Sequence, residues 1–398
     1  MTLVGCDLHS RKQQVAALDT TTGEVLEQEL THDGDAVEQF YRALRPPVTI
    51  GIETTGYTQW FHALMHRLGH TVLVGEAGKI RAMVVRKTKT DRRDARHLLD
   101  LLKHDRFPSV WIPDPPTRDL RALVAHRVRL VRMRTMVKNG LQAIALNHRL
   151  ALRSALWTQR GLAQLRALAL PPHTARRRED SLELLAGITS RIDQLDAQIE
   201  GVVHAHPQAR RLLTHPGVGP LTALTTVLVL GPIARFPDSK HVVSYVGLAP
   251  TINASADKRH LGKITKQGNA LLRWVLGQAA PLAARADDDL RRRYFAVLQR
   301  RGRPKAKVAL ARKLLVRLYV MLRDQIDYEE FRRRGRAAPA RHTALAVKIA
   351  PGLSLSDLPR QMVQCGRSRG HRWSAMTDSL KGTPTLDESS QRSSTIEY

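Results

Sequence analysis

The sequence predicts an α/β N-terminal domain followed by two mainly α-helical regions and a loose basic tail. Three observations support this. Over the first hundred residues, short strand-type runs alternate with amphipathic helical stretches. From about residue 111 the apolar period becomes helical and stays so. A chain of 398 residues is long enough for more than one hydrophobic core. The expected boundaries are 1–110, 111–205, 206–330 and 331–398.

The elements follow in order. Leu3 to Leu8 is an apolar strand run interrupted by Asp7, and Gln14 to Leu18 is a second strand. A Thr20–Gly23 turn leads into Glu24 to Leu30, which alternates like a half-exposed strand. Asp35 to Leu44 reads as an amphipathic helix, and Val48 to Glu53 as a buried strand ending on an acid. Gly56 to Leu68 is a helix stopped by Gly69, Thr71 to Val74 a strand, and Ala77 to Val85 a short helix. Thr90 or Asp91 then caps a helix that runs to Leu102. Thr117 to about Ala151 is a long helix carrying Arg121, Arg127, Arg134 and Lys138 with few acids to neutralise them. Leu185, Ile188, Ile192, Leu195, Ile199 and Val202 form a heptad seam, fit for a coiled-coil arm against a partner subunit or an adjacent helix. Pro216-Gly217-Val218-Gly219 precedes a further helix. Its glycines suit either a helix-hairpin-helix phosphate contact, at Gly217 and Gly219, or an ordinary turn. Asp287-Asp288-Asp289 reads as a charged helix junction, and from about Arg332 the pattern dissolves.

Composition narrows the partners. A formal net charge of +28 points to nucleic acid ahead of a membrane surface, and no apolar run is long enough to span a bilayer. The chain opens directly into a strand, so no leader is expected, and its two cysteines, Cys6 and Cys365, support no disulfide framework. The expected setting is the bacterial cytoplasm.

The chemistry concentrates in Lys87 to Leu99. Asp91 and Asp94 share a helix face, flanked by Lys87, Lys89, Arg92 and Arg93. The pair is either a capped first turn or half of a divalent-metal site. A second basic stretch, with Lys258, Arg259, Lys263 and Lys266, follows Ser255 in what reads as a loop from Thr251 to Arg259. Cations there can stabilise charge on phosphorus if a serine attacks it, although no base is evident.

The strand and helix order resembles the ribonuclease H-like fold of RuvC-type resolvases. In that fold, acids ending the first and fourth strands meet acids on a later helix. The resemblance therefore implies that Asp7, Glu53, Asp91 and Asp94 converge. Four such carboxylates repel one another unless a hard cation, Mg2+ or Mn2+, sits between them. The blocks Val4–His9, Gly51–Tyr57, Lys89–Ala95, His215–Pro220, Gly247–Pro250 and Gly262–Asn269 resemble, in order, those of the DEDD transposases of bacterial insertion sequences. These are also called bridge-RNA-guided recombinases and are relatives of the Piv-type invertases. That family implies a serine nucleophile, matched here by Ser255, although its usual pair of serines reads Ala254-Ser255. It implies double-stranded donor and target DNA, a structured noncoding bridge RNA, and a homodimer or homotetramer. Two rival readings stay open: a RuvC-like nuclease or junction resolvase in which water attacks, and a non-catalytic nucleic-acid scaffold.

Overall fold

The computed structural model describes residues 1–53, 56, 58–84, 90–255 and 258–337. They fall into two units, Met1–Pro113 and a second beginning at Asp114.

The first unit is built on a five-stranded mixed sheet. Its elements are β1 (Thr2–Leu8), β2 (Lys12–Asp19), β3 (Val25–Thr31), α1 (Ala36–Ala43), β4 (Val48–Glu53), α2 (Gln59–Arg67), β5 (Thr71–Gly75), α3 (Ala77–Ala82) and α4 (Asp91–Lys103). The strand order is β3-β2-β1-β4-β5, antiparallel in the opening meander and parallel from β1 to β4 to β5. This mixed α/β arrangement is consistent with the ribonuclease H-like expectation.

The two sheet faces are covered differently. Val4, Cys6, Val15, Ile50 and Ile52 pack with Tyr41 of α1 and with Phe61 and Met65 of α2. On the other face Leu3, Ala16 and Leu18 pack against Ala95 and Leu99 of α4. Gly5 lets α4 approach closely: a Cβ there would stand 2.1 Å from the Ala95 carbonyl oxygen and 2.4 Å from the Leu99 nitrogen. Burial of Leu101 and Leu98 with Ile80 anchors α4 to α3. Because β-strand side chains alternate, Asp7 lies on the Gly5 face and Glu53 on the Gly51 face. Both are the α4 side, since a Cβ on Gly51 would meet Leu102 at 3.0 Å.

The second unit is mainly helical. It comprises α5 (Pro115–Asn147), α6 (Gln159–Arg166), α7 (Pro172–Ala205), α8 (Pro207–Leu213), α9 (Pro220–Leu230), α10 (Ser239–Val246), the hairpin β6 (Pro250–Ser255) and β7 (Lys258–Ile264), α11 (Ala270–Ala286), α12 (Asp288–Arg323) and α13 (Tyr328–Ala337). The heptad seam has its partner within the chain. Leu130 and Val131 of α5 pack on Ile188 and Ile192 of α7, while Leu141 and Ala145 pack with Leu182 and Leu185. Pairing of rising with falling numbers makes α5 and α7 an antiparallel helical pair. The main core surrounds α9, whose residues Leu221 to Leu230 are all buried.

Two local expectations change, and a third gains detail. The stretch from Thr251 to Arg259 is not a simple loop: Ala254 pairs with Arg259 and Ser255 with Lys258 in an antiparallel hairpin, with residues 256 and 257 outside the described set. The pattern does not dissolve at Arg332, because α13 continues to Ala337, with Glu330 paired to Arg333 and Arg334; the rest of the 331–398 segment lies outside the described residues. Asp287 stands at the junction of α11 and α12, as its charged run suggested, and it is buried there. It caps α12 by accepting from the Leu290 nitrogen at 2.8 Å. Among the described residues no helix is long and apolar enough to cross a membrane.

Candidate active site at the sheet edge

Of the four acids proposed from sequence, the structure gathers Asp7 and Asp91, with His9, at the C-terminal end of β1, while Glu53 and Asp94 are not part of that cluster. Asp7 is near the C-terminal end of β1 and Glu53 closes β4. The last registered pair of these parallel strands is Cys6 with Ile52, so the next step brings Asp7 beside Glu53. Asp91 opens α4, capped by Thr90, whose hydroxyl accepts from the Arg93 nitrogen at 3.3 Å. Asp94 lies on the same helix face one turn later. Both helix acids stand in the first turn, where the positive end of the helix dipole favours anions.

Asp7 and Asp91, 84 positions apart in sequence (91 − 7), are brought together by an imidazole. His9 Nε2 stands 3.2 Å from Asp7 Oδ2 and 3.5 Å from Asp91 Oδ1. One ligand atom from each of Asp7, His9 and Asp91 lies within 4.8 Å of the others, a separation that a single ion can bridge. Lys12 extends the network, 2.7 Å from Glu29 Oε2 and 3.5 Å from Asp91 Oδ2. The Glu29 carboxylate holds the Lys12 ammonium above its ordinary pKa. His9 and Lys12 were not among the residues named from sequence. A signal for His9 was present: it stands two positions after Asp7, the spacing that keeps side chains on one strand face.

Directly beneath Asp7, the interior is inert. Burial pushes the Cys6 thiol up to about 12, and its sulfur donates toward Gln13 Oε1 at 3.7 Å. Such a thiol is no nucleophile.

The cations named from sequence separate into groups. Arg92 and Arg96 both grip Glu27 of β3, whose carboxyl is held low chiefly by its bond to Arg96. Lys87 and Lys89 lie outside the described residues. Arg127 and Arg134 do not face solvent: they are only 4% and 5% exposed. Arg127 donates to both oxygens of Asp196 at 2.8 Å. The scarcity of acids along α5 was misleading because α7 supplies the partner. Lys138 lies 4.6 Å over the Trp157 ring. Arg121, on the same helix, donates to the Leu228 carbonyl at 2.7 Å, near the negative end of α9.

The glycine turn before α9 has a packing role. Gly217 takes φ of +80°, and a Cβ there would stand 2.3 Å from the Ala283 nitrogen of α11. Gly219 is the N-cap residue of α9. The close approach at Gly217 is therefore made to another helix of the same unit. For Ser255, Lys258 and Arg259 the description is of the backbone alone. Lys263 and Lys266 are exposed.

Two family models match this chain. One, a transposase model of the IS110 DEDD type, covers residues 4–148, and the other, the transposase IS116/IS110/IS902 family, covers residues 209–295. The chain belongs to the IS110/IS116 transposase family. It is 26% identical over 339 residues to a probable family 20 transposase of Pseudomonas aeruginosa, covering 82% of this chain and 98% of that one. It is 28% identical over 254 residues to the transposase of insertion sequence IS1111A from Coxiella burnetii, covering 61% and 69%. A pilin gene-inverting protein of Moraxella lacunata shares 29% over 146 residues, or 35% of this chain and 45% of that protein. As a transposase, this enzyme has DNA as its substrate. A match to the DEDD-type domain, together with the cluster of Asp7, His9 and Asp91, suggests divalent metal use.

Proposed function

We propose that this transposase cuts and rejoins DNA through a phosphoserine formed by Ser255, with Mg2+ or Mn2+ held by Asp7, Glu53, Asp91 and Asp94 and by the imidazole of His9. The observation that carries the reading is the approach of Asp7, His9 and Asp91 at the mouth of the sheet, within reach of one ion. The donor set fits: carboxylate oxygens suit magnesium and manganese, and an imidazole nitrogen shifts the preference toward manganese. When bound, the metal supplies charge neutralisation and polarisation of a phosphodiester oxygen.

The remaining steps belong to the chain's own groups. The Ser255 hydroxyl attacks phosphorus, loses its proton to solvent, and displaces the 3′ oxygen as a hydroxyl. One P–O bond forms as one breaks, so the bond energy is kept in the phosphoserine. After strand exchange the 3′ hydroxyl attacks phosphorus and releases Ser255, and no nucleotide cofactor is consumed. The hairpin that carries Ser255 also carries Lys258, Arg259 and Lys263, cations suited to the charge that develops on phosphate. Gene inversion, the role named for the Moraxella relative, favours rejoining over simple cutting. The excess of +28 favours a further polyanion, a structured bridge RNA that pairs with donor and target DNA, in an assembly of two or four copies.

End-labelled DNA run on a denaturing gel tests the chemistry. The unaltered protein should retain a label that resists detergent, and Ser255→Ala should lose it while still binding DNA. Cut DNA with no trapped protein would identify water as the nucleophile. His9→Ala should weaken cutting more in manganese than in magnesium; an unchanged metal preference would leave His9 as a bridge between acids only. RNA that copurifies with the protein and pairs with the element ends supports the guide.

A further inference from the structure

The second unit holds a cavity of about 350 Å³ between α11 and α12 that none of the proposed chemistry uses. Trp274 and Gly277, one turn apart on α11, line one wall, and Lys307 and Val308 of α12 line the other. Ile264 and Lys266, at the foot of the β6–β7 hairpin, close one end. The volume is that of a small-ligand site.

Its chemistry is specific. The walls are mainly apolar, and the Trp274 indole remains 43% exposed beside them. Lys266, Arg273 and Lys307 border the cavity, and among the described residues no acid does. Arg273 donates from one nitrogen to the carbonyls of Val246, Gln267 and Gly268 at 3.0, 2.8 and 3.0 Å, all neutral acceptors that leave its charge uncompensated. Lys307 is half-buried, and burial lowers its pKa. Lys266 holds φ of +58°, a conformation that a lysine adopts at some cost. The flanking turn fixes it there: Gly247 and Gly268, also at positive φ, would each put a Cβ 2.0 Å from a carbonyl oxygen across the turn. The backbone position of Lys266 at the rim is therefore held by this turn.

An apolar pocket, an exposed Trp274 and three cations with no carboxylate partner among the described residues match an aromatic body that carries a phosphate. Base pairs within a duplex stay stacked and cannot enter such a slot, whereas an unpaired base can. We propose that this cavity receives one unpaired nucleotide of single-stranded DNA, with its base against Trp274 and its phosphate toward Lys266, Arg273 and Lys307. The proposal rests on DNA being the substrate and is independent of Ser255. Register supports a role apart from the reacting bond. Pro250 pairs with Ile264 at the foot of the hairpin and Ser255 with Lys258 at its tip. Five strand residues put the two ends roughly 17 Å apart. The bound nucleotide is thus several positions from any phosphate at Ser255, and the cavity holds a strand out of the duplex.

The test uses the full-length protein and a short single-stranded oligonucleotide carrying one fluorescent base analogue, beside the same sequence as a duplex and as RNA. Duplex binding by the unaltered chain reports separately whether DNA is the substrate. Single-strand binding should quench the analogue. Trp274→Ala should abolish the quench and weaken single-strand affinity by about tenfold while duplex affinity moves less than about twofold. Trp274→Phe should retain both. Val308→Trp, which fills the cavity from the opposite helix, should reproduce the loss. Lys307→Gln should lower the salt slope of single-strand binding by about 1. Equal losses on single strand and duplex, full single-strand affinity in either Trp274→Ala or Val308→Trp, or a loss confined to the RNA oligonucleotide would each overturn the assignment.

Discussion

Two clusters in this protein combine aspartate with histidine and a cation, and they have opposite characters. In the first unit Asp7, His9, Asp91 and Lys12 meet at the open mouth of a sheet, with His9 and Asp91 each 41% exposed at the side chain. In the second, Asp287 is buried beside Arg317, its oxygens 2.7 and 3.2 Å from the guanidinium and 2.5 Å from the Tyr328 hydroxyl. His215 stacks on Tyr328 at 4.6 Å, with its Nδ1 at 2.9 Å from the Pro216 carbonyl. Burial would raise the Asp287 carboxyl, yet the bonds from Arg317 and Tyr328 outweigh it and hold it far below the usual range. The comparison separates a proposed ligand set from a structural lock. The buried acid has its partners supplied by the fold, whereas the exposed acids crowd together where a cation from solution can join them.

The largest expected difference is in catalysis. Asp91→Ala should reduce DNA cutting by about a thousandfold, with the melting curve nearly unchanged. A marked loss of stability in that variant would break the comparison by making Asp91 structural. The next effect is on folding. Asp287→Ala removes two of the three carboxylate contacts of the buried Arg317, leaving the one to Asp289 at 2.8 Å, and should cost about 3 kcal/mol by denaturant titration, with the metal dependence of cutting unaltered.

Acid titration sharpens the same contrast. Burial, helped by the nearby Arg317, lowers His215 from its ordinary 6.5 to about 4, against the opposing pull of the Pro216 carbonyl and Asp287. The unfolded chain therefore takes up a proton that the folded chain refuses. The contribution of this group is complete above about pH 6.5 and drains away as pH falls toward 4, a loss of about 3 kcal/mol. His215→Gln should flatten that part of the pH–stability curve; an unchanged slope would assign the acid sensitivity elsewhere. The smallest expected effect links fold to site. Gly5→Ala must push α4 from the sheet and should cost about 1–3 kcal/mol. Cutting should fall more steeply than stability, because α4 carries Asp91 and Asp94.

Much of the first unit was legible because its signals are local. Runs such as Val48 to Glu53 alternate with capped helices, and the strand-terminal acids mark themselves by interrupting apolar sequence. Thr90 was readable as a cap because its hydroxyl acts within its own turn. His9 was legible only in outline: its strand period was visible, but its approach to Asp91 depends on where α4 crosses the sheet. The second unit hid more. Arg127 looked like a cation in search of phosphate until α7 brought Asp196 to it, and Asp287, legible as a helix junction, carried no local sign of the Arg317 and Tyr328 that enclose it.

By itself the sequence determined the succession of strands and helices, the acids that end them, and a charge excess that demands a polyanion. These follow from periodicity, capping and composition, which act over a few residues. Tertiary structure alone decided which charges meet. Asp7 and Asp91 share an imidazole because Gly5 admits α4 to the sheet, and Arg127 loses its place on the surface because two long helices pack antiparallel. Whether a charge is solvated or paired depends on distances across space, and no local pattern encodes them.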